Sequence, residues 1–355
     1  MTTSMLKKRL QELGNKMHAQ GCETCLIQNP LDLLYLTGLP LSAGKLCVHA
    51  KETLLFVDGR YLQIAQEKAP MKVCLDEKEA VLTFLHAHKC KSVWFDGQHT
   101  SYEAFLRWKQ TVKDIDFVSK SSFFKTLRVI KDDQEIHKMK KSAQLLWQGF
   151  QHIRAQLKGG ITEKELSKRF EIFCLEQGGE GLAFEPIIAF GPNSAMPHYR
   201  SKDVPLKAGD IVLIDIGVIV DQYHSDMTRV LFFQTPDPDL EKYYQINKAA
   251  HDAALTACRP GIPIGMLDRA ARDVMAAHQV EHLFVHSLGH GIGLETHEFP
   301  RIKWDGEDKD VLIEPGMVFT VEPGLYVPGK GGVRYEDTIL ITETGYENFY
   351  PREVF

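Results

Sequence analysis

Asp215 and Asp226 stand in a stretch where β-branched and aliphatic residues run from Ile211 to Val220 and a second β-prone run from Tyr223 to Phe233, with Asp221-Gln222 as the polar break. The pattern predicts a hairpin. With its turn centred between Val220 and Asp221, the two aspartates face each other with Cβ atoms about 4.5–5.5 Å apart, and like charges so placed repel. Asp215 also lies between Ile214 and Ile216, where a buried unpaired carboxylate is either protonated or strongly destabilising. A bound cation removes both difficulties. Met317 to Leu325 and Val333 to Thr342 repeat the arrangement, because a hairpin centred on Gly329 sets Glu322 opposite Glu336. Between the hairpins, His290 sits in Gly289-His290-Gly291-Ile292-Gly293, whose glycines let backbone and imidazole approach a site closely. The charge of four carboxylates is matched by two divalent ions. Five side chains can serve two ions if some carboxylates bridge, and ions about 3.5–4 Å apart are the geometry of two-metal hydrolases. Carboxylates with one imidazole and no thiolate favour Mn²⁺ or Co²⁺, with Zn²⁺ also compatible.

The elements that must position these residues follow from the rest of the 355-residue chain. Hydrophobic residues at 44% and charged residues at 25% describe an ordinary globular protein, and a net charge of −5 gives no basic footprint for nucleic acid or an anionic membrane. The first residues carry basic side chains without an apolar segment after them, and no run is apolar for the length of a spanning helix. Seven scattered cysteines suit a reducing compartment, so a cytoplasmic protein is expected. Cys22 and Cys25 form one C-x-x-C with no second pair, and Cys25-Leu26-Ile27 reads as strand core.

Residues 1–126 alternate helices and short strands: an amphipathic helix on Leu6, Leu10, Leu13 and Met17, then strands at Thr24–Gln28, Lys45–Ala50, Thr53–Val57 and Ser92–Asp96. No ligand constellation appears there. The α/β domain ends where the chain turns basic near Arg128, and 127–355 forms the second domain. That domain opens with a long helix through Ile136, Met139, Leu146, Phe150 and Ile153, followed by one that Thr162 and Glu165 cap. A loop from Gly191 delivers His198-Tyr199 to the first acid hairpin. Two further helices, 238–258 and 263–278, precede His286, His290, His297 and the second hairpin. Both halves thus share the order of two helices, a histidine loop and a carboxylate hairpin.

At LIDIG (Asp215), HSDMTR (Asp226), GHGIGLETHE (His290), VEPG (Glu322) and GVRYEDT (Glu336), the chain resembles the metallopeptidase family of aminopeptidase P, prolidase and methionine aminopeptidase. YLTG, SAG and FVDGRY in the first domain resemble the creatinase-type N-terminal domain of the proline-specific branch. The resemblance implies an α/β creatinase-like domain at 1–126, an α+β pita-bread catalytic domain at 127–355, and Asp215, Asp226, His290, Glu322 and Glu336 as ligands of two divalent ions. In the implied reaction a water bridging the ions becomes the nucleophile that attacks the Xaa-Pro bond. Glu322 passes its proton, and His198 and His297 face the scissile carbonyl. Arg334 and His286 match the proline-specific pattern and are expected at the substrate, with a pairing of Arg334 to Asp215 or Asp226 as the other possibility. Tyr199 departs from the glycine usual in aminopeptidase relatives of this size and is expected to narrow the pocket floor. The implied activity is removal of the residue before a second-position proline from peptides. A dipeptidase is the near alternative, and a catalytically inactive peptide- or histone-binding relative is disfavoured because all five ligand positions are filled. The family also implies a homodimer.

Overall fold

The structure, a computed structural model, describes residues 3–351. The chain divides between Arg128 and Val129 into two compact units; the sequence set this break between 126 and 127. The first unit is built on a six-stranded sheet in the order Lys72–Leu75, Thr53–Val57, Lys45–His49, Thr24–Ile27, Ser92–Phe95, Asp116–Ser119. Its three central strands are antiparallel and the outer ones join in parallel. The two edge strands were not foreseen. Both are short and partly exposed, so neither carries a full hydrophobic face, and their place is set by the neighbour they pair with. Cys25 is buried within strand Thr24–Ile27, as a strand-core reading requires; Cys22 just before it is also buried, which pushes its thiol up to about 11.

In the second unit, helices Asp133–Arg154 and Glu163–Glu176 each begin in a capping box, Asp132 with Glu135 and Thr162 with Glu165. They are followed by a sheet of Ile187–Phe190, Ile211–Ile216 and Met227–Phe232. Helices Pro238–Ala257 and Gly265–Ala277 precede Gly289–Gly291, Val318–Val321 and Asp337–Ile341, three adjacent strands of a five-stranded sheet. The topology of the halves therefore repeats. In each, two helices lead to an antiparallel triple whose middle strand ends at or beside an acid, and a second acid directly precedes the third strand.

Alternation along Ile211–Ile216 decides where the first acid points. Val212, Ile214 and Ile216 pack with Phe150, Leu166 and Phe170 of the first helix pair. Ile211 and Leu213 join the other core, with Phe319, Val321, Val333 and Ile339 of the second half. Asp215 shares their face, so it is turned toward the second half rather than toward the helices.

The first hairpin corrects the expected register. Its turn is Asp221-Gln222, with φ of 51° and 72°, and the strands pair Ile216 with Met227 and Asp215 with Thr228. Asp215 and Asp226 are therefore diagonal neighbours on one face, not direct partners. Asp226 falls opposite Gly217, where a Cβ would lie 2.4 Å from the Ser225 carbonyl oxygen. The second hairpin keeps the expected register: Val321–Asp337 and Gly324–Arg334 pairs bracket Glu322 and Glu336 where the ladder is interrupted. Gly289 is likewise obligatory, since a Cβ there would lie 2.0 Å from the Thr320 carbonyl oxygen. Among the described residues no helix is long and apolar enough to cross a membrane.

Candidate active site

Every catalytic, substrate and metal-ligand candidate from the sequence lines one cavity of about 590 Å³ in the second unit. Asp226, His290 and Glu336 each offer a ligand atom within 4.8 Å of the others. Glu322 Oε1 is 3.5 Å and Asp226 Oδ2 3.7 Å from His290 Nε2. His290 Nδ1 lies 3.0 Å from the Gly291 carbonyl, which can only accept, so the proton sits on Nδ1 and the Nε2 lone pair faces the acids. Burial and the neighbouring His297 lower His290 to about 3, which keeps it neutral.

The carboxylates crowd one another. Burial, then the charges of Glu336, Asp215 and Glu322, hold Asp226 well above the ordinary carboxylate range. Burial and Glu336 do the same to Glu322, and burial with Asp215 pushes Glu336 up to about 8. Oδ1 of Asp215 and Oδ1 of Asp226 are buried with no hydrogen-bond partner among the described residues. Buried acceptors left unpaired beside an unprotonated imidazole are a donor set that divalent cations fit.

Around these acids the protein supplies a fixed frame. Arg334 donates from Nη2 to Asp215, from Nη1 to the Tyr326 hydroxyl at 2.8 Å and from Nε to Thr228 Oγ1 at 3.1 Å. Thr228 Oγ1 in turn donates a hydrogen bond to Glu336 Oε2 at 2.7 Å. Tyr326 donates to His286 Nε2 at 2.9 Å, and His286 Nδ1 donates to the Ser287 carbonyl at 2.8 Å. Burial, together with Arg334, lowers His286 to about 3, so it stays a neutral acceptor. All three nitrogens of Arg334 and both of His286 are thus occupied within the protein. Of the pairings expected for Arg334 the structure shows the one to Asp215, and together these contacts support the carboxylates from behind. His198 and His297 are exposed to the cavity, and neither ring has a hydrogen-bond partner among the described residues.

The sequence pattern of metallopeptidase family M24 matches residues 137–343, and that of the creatinase/prolidase N-terminal domain matches residues 9–130. This chain belongs to metallopeptidase family M24. It is 32% identical over 342 residues to an Xaa-Pro dipeptidase of Pyrococcus furiosus, covering 96% of this chain and 97% of that one. An Xaa-Pro dipeptidase structure from Bacillus anthracis matches with a TM-score of 0.93 at 30% identity, covering 99% of both chains. An X-Pro aminopeptidase structure from Thermotoga maritima matches with a TM-score of 0.86 at 30% identity, covering 96% of this chain and 99% of that one. The expected combination of creatinase-type and pita-bread domains holds, and the chain is a metallopeptidase of the Xaa-Pro type that works with divalent metal ions.

Within this M24 site several supporting residues escaped the sequence reading. Arg229 is fully buried and donates to the Glu336 carbonyl at 2.5 Å and to Asp337 Oδ1 at 2.7 Å. Tyr350 and Thr338 both donate to the Asp226 carbonyl at 2.9 Å. Arg229 carried a readable signal, a charge inside an aliphatic strand like that of Asp215. Tyr350 carried none, since its partner is 124 residues away.

The raised acids give the metal-free protein a predictable pH response. Between 4.5 and about 8 folded Glu336 retains a proton that the unfolded chain has released, and that stabilisation is lost as pH rises through about 8. His286 and His290, lowered from 6.5 to about 3, act oppositely: their contribution is present above 6.5 and lost as pH falls toward 3. Above pH 6.5 the acids therefore decide the trend. The melting temperature of chelated protein is expected to fall from pH 6.5 to 8, with the largest recovery on adding divalent ions at the upper end. A flat or rising melting temperature over that range contradicts the repulsion described here.

Proposed function

We propose that this chain is an Xaa-Pro aminopeptidase in which Asp215, Asp226, His290, Glu322 and Glu336 hold two divalent ions, Mn²⁺ first among those the donor set suits. The observation that carries the reading is the pair of buried, partnerless Oδ1 atoms on Asp215 and Asp226 within a cluster of mutually repelling acids. Bound divalent ions supply an acidified water as nucleophile and polarise the scissile carbonyl. Glu322 takes the proton of the attacking water and passes it to the departing proline nitrogen. His297 and His198, whose rings have no hydrogen-bond partner among the described residues, donate to the carbonyl oxygen as negative charge develops on it. Burial and the neighbouring His198 lower His297, so it meets the substrate as a neutral donor. Arg334 holds Asp215 from behind, a contact the proline-specific branch is expected to share.

A dipeptidase is the second reading. Arg301 lines the cavity opposite His290 in the ladder, and its guanidinium has no carboxylate partner among the described residues, so it is available to a substrate carboxylate. The relatives from Pyrococcus furiosus and Bacillus anthracis carry the dipeptidase name.

Hydrolysis of Arg-Pro-Pro and of Ala-Pro, before and after chelation and Mn²⁺ return, separates these readings. Metal-restored release of arginine from the tripeptide is expected; activity confined to Ala-Pro makes the protein a dipeptidase, and equal cleavage of peptides without proline overturns both. For His297→Ala, metal content is expected to stay normal while kcat falls about a hundredfold or more, as for loss of an oxyanion donor. A metal-free variant, or one with ordinary turnover, removes His297 from that role.

A further inference from the structure

His198 presents a difficulty that the cavity itself does not resolve. Its ring is exposed and makes no hydrogen bond among the described residues, so its place is set by the backbone that carries it. That backbone is the loop after strand Ile187–Phe190; Ser201 Oγ accepts from the Ile188 N–H at 3.0 Å, and one buried carboxylate outside the cavity reaches both ends of the loop. Glu163, the first residue of helix Glu163–Glu176, is 0% exposed and pairs with no lysine or arginine among the described residues. Instead Oε1 accepts from the Phe190 N–H at 2.8 Å and from Asn193 Nδ2 at 2.9 Å. Oε2 accepts from the Tyr199 hydroxyl at 2.7 Å and from the Lys202 N–H at 3.0 Å.

A buried carboxylate without a cation is tolerated only when its oxygens are fully hydrogen-bonded, and the helix N-terminus adds favourable potential. Here the donors come from both ends of residues 190–202 and from the residue next to His198. The loop is thus closed around Glu163. Its far side is tied separately, by Ser194 Oγ accepting from the Gly332 N–H at 2.8 Å, two residues from Arg334. The tyrosine at 199, expected from the sequence only to narrow the pocket, has a more definite task. Its hydroxyl is the side-chain donor that joins the residue beside His198 to the helix.

We propose that Glu163 is a positioning residue for the reaction: its carboxylate clamps both ends of the 190–202 loop and, through Tyr199, fixes the backbone that aims His198 at the substrate. The inference rests on the reading that His198 acts on the scissile carbonyl. Misplacement of a reacting group by about 1 Å through a remote change can cost on the order of a hundredfold in rate, without touching metal or binding.

The test is a cycle of Glu163→Gln, His198→Ala and the double variant in the metal-loaded enzyme, with kcat, KM, metal content and amide hydrogen exchange measured for each. Glutamine keeps the shape but turns an N–H₂ toward donors. The expected result for Glu163→Gln is normal metal content, faster exchange in 190–202, a kcat lower by about ten- to a hundredfold and a smaller change in KM. In the His198→Ala background the same change is expected to cost less than about twofold more, because the loop then has nothing left to aim. Where Glu163→Gln does not fold, Tyr199→Phe carries the same cycle with the loss of one donor. Losses that multiply in the double variant, or full kcat in the Glu163 and Tyr199 variants while His198→Ala is impaired, overturn the inference alone. Ordinary turnover in His198→Ala overturns the assigned role of His198 and this inference with it.

Discussion

Four carboxylates buried in one cluster repel each other, and the second unit is organised around accommodating that repulsion. The site does not neutralise it internally. One guanidinium, Arg334, reaches Asp215, while among the described residues Asp226, Glu322 and Glu336 form no ion pair with a lysine or arginine, and Glu336 has the Thr228 hydroxyl beside the other acids and a neutral imidazole. Their protons are consequently retained well above the usual range, and two oxygens remain without partners. A fold that wanted only stability would replace such a cluster with apolar side chains, since buried charges rarely repay their desolvation. Retaining it makes sense where divalent cations supply the missing charge.

The surrounding contacts hold the acids in place by their backbones and their outer oxygens, leaving the inner oxygens open. Tyr350 and Thr338 fix the carbonyl of Asp226, Arg229 fixes that of Glu336, and Thr228 takes one Glu336 oxygen. The chain from Arg334 through Tyr326 and His286 to the Ser287 carbonyl gives every donor an acceptor and leaves no choice of tautomer. Such a frame keeps the site open and ready, at the cost of concentrating buried polar groups in it. The repeated topology of the halves explains why it works symmetrically. In each, one acid lies at the end of a middle strand and one directly before the next strand, so both pairs project from equivalent places.

Much of this was legible because acids inside aliphatic strand runs, and a histidine framed by glycines, violate what a core prefers. Glu322 and Glu336 could be paired from the sequence because Gly329, at φ 77°, marks the turn between them. The first hairpin lacked such a marker: Asp221 and Gln222 adopt positive φ without a glycine, and the expected turn was misplaced by one residue. The error moved the partner of Asp215 by two positions, and because side chains alternate with a period of two, the acids still fell on one face. What the sequence hid are partners brought in from far away. Thr228 meets Glu336 across 108 residues, and Glu163 in its first-turn position looks like any helix-dipole acid until the loop closes on it. Arg334 and His286 were placed in the right cavity, but the Tyr326 hydroxyl that joins them was not seen, since nothing in spacing tells which nitrogens the protein itself will occupy.

The most direct test of the account is calorimetric titration of the metal-free protein with Mn²⁺ at pH 7, in buffers of different ionisation enthalpy. If repulsion holds protons on the carboxylates, binding must expel them, and the observed enthalpy should vary with the buffer by roughly one or more protons per chain. An enthalpy independent of buffer would mean that the acids are already ionised without metal, and would contradict the claim that the site is organised around their repulsion.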